Sequence, residues 1–179
     1  LLNYEKKIKF YNASSSEIFG NSKDKFQNEN SKFLPNSPYA SSKLFSYWIT
    51  KNYRDAYKMF ASNGILFNHE SEIRGKTFVT RKITNFVANY KFKKTKILYL
   101  GNLDAKRDWG YAPDFIEGVW RILQHKKADD FVLSTGKNYT VRQFLVEAFK
   151  VINVNLKFKG KGLKELSFDK KNNKIIVKI

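Results

Sequence analysis

The chain predicts an α/β fold built on a parallel sheet, and two observations carry that prediction. Short apolar runs alternate with longer stretches in which apolar residues recur every three or four positions, so strands alternate with helices. The runs end in small or polar residues, as at Ala13-Ser14-Ser15-Ser16 and Asn68-His69. In sheets of this kind ligands bind beyond the carboxyl ends of the strands, so two expected strands deliver polar side chains to one rim.

The elements follow in order. Residues 1–13 read as a buried strand, clearest over residues 8–14, where it ends in small polar residues. Residues 21–37, rich in Asn, Ser and Lys and holding Pro35, read as a loop. A long helix is expected from Pro38 to about Phe60, with Phe45, Ile49, Tyr53, Ala56 and Phe60 as its buried face. Pro38 suits its first turn, and Asn63-Gly64 is expected to stop it. Ile65 to Asn68 then forms a short strand and His69 to Thr77 a polar loop. Phe78 to Tyr90 reads as a helix and Ile97 to Leu100 as a strand. Residues 113–125 are helical, with Phe115, Val119, Trp120 and Leu123 on one side. Phe131 to Leu133 is a strand closed by Thr135-Gly136, and Val141 to Ile152 an amphipathic helix. Strand-like pieces at Leu156–Phe158 and Ile175–Val177 finish the chain.

At 179 residues, 42% of them hydrophobic, the chain can fill one substantial core and is not of disordered composition. No apolar run reaches about 18 residues, so no transmembrane helix is expected. The N-terminus has no apolar signal-peptide core. Without cysteine there is no disulfide framework, which is compatible with a cytoplasmic setting. The net charge of +18 invites a nucleic-acid reading. It is set aside because only six of the 34 basic residues are Arg and the charges spread along the whole chain.

The chemistry-bearing residues are few. Tyr39 and Lys43 stand four apart at the start of a helix and share one face. An ammonium there favours the phenolate and makes Tyr39 a candidate general base. Ser15, expected within reach of the Tyr39 hydroxyl, can hydrogen-bond a substrate; alternatively, Ser14 to Ser16 simply cap a helix. Glu17, just past a strand, could remove a proton alpha to a carbonyl, against the plainer reading of a solvated loop carboxylate. His69 has only the distant His125 and no Cys for company, so no metal site is expected. It is expected to pack against or hydrogen-bond a ligand. Arg107 suits a phosphate, with a surface Arg107–Asp108 pair as the alternative.

Over residues 10–140 the chain resembles the GDP-mannose 4,6-dehydratases of the extended short-chain dehydrogenase/reductase group. The stretches that carry the resemblance are Phe10–Gly20, Ser37–Lys43, Tyr47–Ala56, Asn63–Ser71, Phe78–Lys82 and Gly101–Phe115, with Gly-Asn-Leu-Asp-Ala-Lys-Arg-Asp-Trp-Gly the most specific. The resemblance implies the C-terminal half of a Rossmann-like, doubly wound parallel sheet plus part of a smaller substrate-binding region. It implies an NADP-dependent lyase that oxidises C4 of the mannosyl unit of GDP-mannose, eliminates water across C5 and C6, and returns the hydride to C6. It assigns catalysis to Ser15, Glu17, Tyr39 and Lys43, cofactor contacts to Lys43, His69 and Arg74, and nucleotide-sugar contacts to Asn68, Lys82 and Arg107. It also implies a homo-oligomer at full length.

Two departures stand out. Glu72-Ile73 replaces the Pro-Arg often found ahead of the cofactor arginine. The sequence also holds no glycine-rich turn of the kind that cradles a pyrophosphate, nor the family's C-terminal Arg-Pro segment. Residues 1–179 are therefore expected to be one nucleotide-sugar dehydratase domain, as a piece lacking both flanks and weak in NADP binding by itself. Ser15 stands where the family usually has Thr, with the hydroxyl kept. The alternatives are another epimerase or dehydratase of the superfamily, or an inactive fragment. Against the dTDP-glucose enzymes, Ser16 rather than Asp precedes Glu17.

Overall fold

The computed structural model describes residues 8–92 and 97–179, so the first seven residues of the expected N-terminal strand lie outside the described residues. Along the chain come β1 (Lys9–Ser15), a 3-10 turn (Ser16–Phe19), α1 (Pro38–Tyr57), β2 (Phe60–Leu66), β3 (Asn68–Glu70) and α2 (Val79–Lys91). Then follow β4 (Leu98–Tyr99), β5 (Lys106–Arg107), β6 (Trp109–Tyr111), α3 (Ala112–Gln124), β7 (Asp130–Leu133) and β8 (Tyr139–Thr140). The chain closes with α4 (Val141–Lys150), β9 (Leu156–Lys159), β10 (Leu166–Asp169) and β11 (Ile175–Lys178). It divides into two compact units: the chain up to Ser71 with Asp108–Lys137, and Glu72–Arg107 with Asn138–Ile179.

The first unit holds a parallel sheet in the order β1-β2-β7. Side chains alternate across a strand, and here the two faces meet different helices. Asn12, Asn63, Ile65, Asp130 and Val132 face α1. On the other face Lys9 donates to the Leu123 carbonyl of α3 at 2.7 Å, and Leu133 lies against Gly118 of α3. Helices therefore cover both faces, the doubly wound arrangement expected. Ile18, Phe19, Tyr47 and Ile65 form the core under α1, with Phe33, Leu44, Phe67 and Val132 packed around it.

Four expectations about this unit are corrected. The long helix ends at Tyr57, where Lys58 takes the left-handed cap conformation (φ 56°) without help from a glycine. Asn63 and Gly64 lie inside β2 instead of stopping the helix. Gly64 is needed for space: a Cβ there would stand 2.2 Å from the Tyr11 hydroxyl of the neighbouring strand. The buried face of α1 is Ala40, Tyr47 and Thr50, whereas Phe45, Ile49, Tyr53 and Ala56 are exposed and Phe60 belongs to β2. On α3, Phe115 and Ile122 are buried while Trp120 is exposed.

In the second unit Ile83, Phe86 and Val87 of α2 are buried, as are Leu145 and Phe149 of α4. The Phe86 and Phe149 rings lie 6.3 Å apart between these helices. Thr140 and Gln143 close a reciprocal capping box at the start of α4. The sheet here runs β4-β11-β10-β9 and is mixed: β4 is parallel to β11, but β10 is antiparallel to both neighbours. This unit's sheet is therefore mixed where that of the first unit is parallel. Its β10 escaped notice because its buried positions are Ser167 and Asp169, inverting the usual pattern of apolar residues inside.

Candidate active site

Parallel pairing of β1 with β2 brings Ser15 level with Leu66, so the turn after β1 and strand β3 after β2 share one end of the sheet. The turn is short because Ser15 caps it: its Oγ accepts from the Glu17 amide at 3.2 Å. Ile18 and Phe19 are driven into the core, and Gly20, at φ 52°, takes the return where a Cβ would collide with the Leu34 carbonyl. The Glu17 side chain is left exposed and, among the described residues, without a hydrogen bond or ion pair.

Helix α1 starts at this same end. Ser37 caps it, accepting from the Ala40 amide at 3.1 Å, and Pro38 occupies its first turn. One turn in, Lys43 Nζ donates to the Ala13 carbonyl of β1 at 2.8 Å and stands 5.7 Å from the centre of the Tyr39 ring. Lys43 thus ties the phenol to the strand that carries Ser15 and Glu17. Tyr39 is 54% exposed, and among the described residues its hydroxyl makes no hydrogen bond, to Ser15 or to any other group. The capping role of the serine cluster, weighed as an alternative, is what Ser15 performs.

His69, on β3, is held on two sides. Its Nδ1 lies 2.9 Å from the Phe67 carbonyl, which makes Nδ1 the donor in a neutral ring and leaves Nε2 as an acceptor. Its ring stacks on Phe115 at 4.9 Å. Gly110, opposite His69 in β6, admits that phenyl ring, since a Cβ there would meet it at 2.2 Å. Asn68 pairs opposite Trp109 in the same two-stranded ladder.

Arg74, Lys82 and Arg107 belong to the second unit. The Arg74 guanidinium lies 3.7 Å over the Phe78 ring. Lys82 is exposed on α2, and Arg107 is exposed on β5 with Nη1 donating to the Lys106 carbonyl. Arg107 and Asp108 do not form the surface pair considered. Asp108 is buried in the first unit and accepts from the Thr135 amide and hydroxyl and from the Gly136 amide. That carboxylate closes the loop after β7 at the sheet end already described, and nothing in its sequence neighbourhood distinguishes it from a surface acid.

Beneath the rim is a polar cluster that periodicity did not reveal. Arg54 donates to both oxygens of Asp130, at 2.9 and 3.0 Å. The Tyr47 hydroxyl donates to Asp130 at 2.7 Å and Asn63 Nδ2 at 2.8 Å. Asn12 in turn donates to Asn63 Oδ1 at 2.8 Å. Burial pushes the Asp130 carboxyl up, but the hydrogen bonds from Arg54, Tyr47 and Asn63 outweigh it and hold the group below its ordinary range. Burial and the bond to Asp130 push the Tyr47 phenol upward.

The GDP-mannose 4,6 dehydratase family model matches residues 1–179. The chain is 51% identical over 175 residues to the GDP-mannose 4,6 dehydratase of Dictyostelium discoideum, covering 98% of this chain and 49% of that protein. Among solved structures it is similar to a dTDP-glucose 4,6-dehydratase from Bacillus anthracis in complex with NAD. The TM-score is 0.74 at 21% identity, covering 84% of this chain and 49% of that one. It is also similar to RMD from Pseudomonas aeruginosa complexed with NADPH, at TM-score 0.71 and 21% identity, covering 75% and 48%. The fold is thus that of the Rossmann-like epimerases and dehydratases. The chain spans about half the length of the curated relatives it matches. A match that runs the whole sequence at about half identity leaves one family, and the chain belongs to it: the GDP-mannose 4,6-dehydratases.

Proposed function

We propose that this chain carries the catalytic centre of an NADP-dependent GDP-mannose 4,6-dehydratase, a cytoplasmic hydro-lyase that forms GDP-4-keto-6-deoxymannose. The observation that supports it best is the double engagement of Lys43, with the β1 carbonyl and with the Tyr39 ring, which ties the start of α1 to the strand that leads into Ser15 and Glu17.

The donors fit a nicotinamide nucleotide's ribose. Lys43 spends one of three N–H groups on Ala13, and the Tyr39 hydroxyl is unengaged among the described residues. The His69 ring and Arg74 are assigned to the same cofactor, and Asn68, Lys82 and Arg107 to the nucleotide sugar. A bound nicotinamide would supply the acceptor for the C4 hydride and its later donor to C6. Tyr39 takes the O4 proton, and the Lys43 ammonium stabilises the phenolate that does so. Once C4 is a ketone the C5 proton is acidic; Glu17 removes it and passes a proton to the departing O6, which leaves as water. C5 takes up a proton from solvent when hydride is returned at C6, while Tyr39 releases the O4 proton to solvent. Ser15 holds the sugar hydroxyl while its second lone pair stays on the Glu17 amide. At full length the enzyme is a homo-oligomer, a reading supported by the exposed Phe45, Trp48 and Tyr53 on α1.

The test separates oxidation from elimination. In a form of the enzyme extended to the length of its relatives, Glu17→Gln keeps the shape and loses the base. Cofactor reduction with GDP-mannose should persist while solvent deuterium incorporation at C5 and water loss fall by about 10²–10⁴. Undiminished 4-keto-6-deoxy product from Glu17→Gln would remove Glu17 as the base.

A further inference from the structure

Helix α1 lies on the sheet by its less hydrophobic side. At about 100° per residue, Phe45, Trp48, Ile49 and Tyr53 stand roughly half a turn away from Ala40, Tyr47, Thr50 and Arg54. The first set is exposed, with Phe45 at 69%, and the second packs inward, with Tyr47 at 3%. In a monomer, burial of apolar surface would by itself choose the opposite setting. That setting would also swing Tyr39 and Lys43 off the end of β1.

What opposes it is directional and polar. Asp130 of β7 receives Arg54 through both oxygens and Tyr47 through one. Arg54 Nη1 also reaches the Ala61 carbonyl of β2 at 3.2 Å, and Asn63 Nδ2 reaches the Tyr47 carbonyl at 3.3 Å. Asn12 of β1 completes the set through Asn63. All three strands thus bond to, or through, one face of one helix. Turning the helix would take the Arg54 and Tyr47 donors away from the buried Asp130 carboxylate and leave it only its bond from Asn63 among those described.

We propose that the Arg54–Asp130–Asn63 cluster selects which side of α1 lies on the sheet, and that Asp130 is thereby a positioning residue for Tyr39 and Lys43. The rotation argument stands on packing geometry; only its consequence for catalysis rests on the roles proposed above.

The chain has no cysteine, so a single introduced thiol reports on one position. Thr50→Cys samples the buried side and Phe45→Cys the exposed side. Each is made in the natural background and together with Arg54→Met and Asp130→Leu, which removes both charges so that neither is left buried alone. Reaction with a disulfide reagent is timed at a dilution where sedimentation shows a monomer. In the natural background the Phe45→Cys thiol should react roughly tenfold or more faster than the Thr50→Cys thiol. In the charge-free background the order should reverse. An unchanged order, or two fast thiols, would overturn the proposal, because a cluster that only stabilises the contact gives no protection at position 45. Should that background not fold, Tyr47→Phe with Asp130→Asn keeps the shapes, and the same reversal is expected. If the order reverses while Tyr39→Phe leaves turnover of the extended enzyme intact, the rotation stands and the assigned catalytic roles fall.

Discussion

Gly64 shows how much one missing methyl decides. It stands inside β2 with the Tyr11 hydroxyl where its Cβ would be, and that hydroxyl is itself buried without a partner among the described residues. Gly64→Ala must push Tyr11 or part the two strands. The expected cost is about 1–3 kcal/mol, as for other overpacked cores, read from the urea midpoint. Read as a sequence, the Asn63-Gly64 pair looked like a helix stop, because the same dipeptide serves a cap and a crowded strand equally well. At this scale the candidate site was partly legible. The order of Ser15, Glu17, Tyr39 and Lys43 could be read, but Asp108 and Asp130 could not, since an acid's burial depends on partners far away in the chain.

Among the elements, α1 matters most because its first two turns carry Tyr39 and Lys43. Ser37 satisfies one of the free amides of the helix start, that of Ala40. Ser37→Ala should cost about 1 kcal/mol of stability in denaturant titration, with fraying confined to the first turn by amide exchange. The helix was legible over most of its length, but its orientation was not. Its aromatic stripe implied burial, and the structure places the stripe outside because the sheet beneath offers Asp130 and Asn63. The mixed sheet of the second unit was only half legible. Its β11 announces itself with Ile-Ile-Val, whereas β10 buries Ser167 and Asp169.

For the molecule as a whole, pH and cofactor affinity are the measurable quantities. Asp130 sits below its usual range when folded, so its contribution is present above about pH 4 and is lost as pH falls through the folded value. Tyr47 is raised when folded, so its contribution is present below about pH 10 and is lost as the pH climbs beyond it. Urea midpoints should therefore fall at both ends, and Asp130→Asn should flatten the acid limb relative to the natural chain. Titrating NADPH into the 179-residue chain while following its fluorescence should show no saturation in the micromolar range, because the sequence holds no glycine-rich turn to cradle the pyrophosphate. Micromolar saturation would mean that other groups of this chain hold the phosphates.

The ion pair between α1 and β7 also sets a timetable. Arg54 and Asp130 are 76 positions apart, and the intervening chain runs through a large part of the second unit before it returns as α3 and β7. During synthesis from the N-terminus, α1 emerges long before the carboxylate that orients it. Until β7 docks, the helix can collapse on β1 and β2 by either side, and its aromatic side is the stickier. Closing so long a loop is slow in comparison with local helix formation. The bond that fixes the setting of α1, and with it the place of Tyr39, thus becomes available only once β7 has been made.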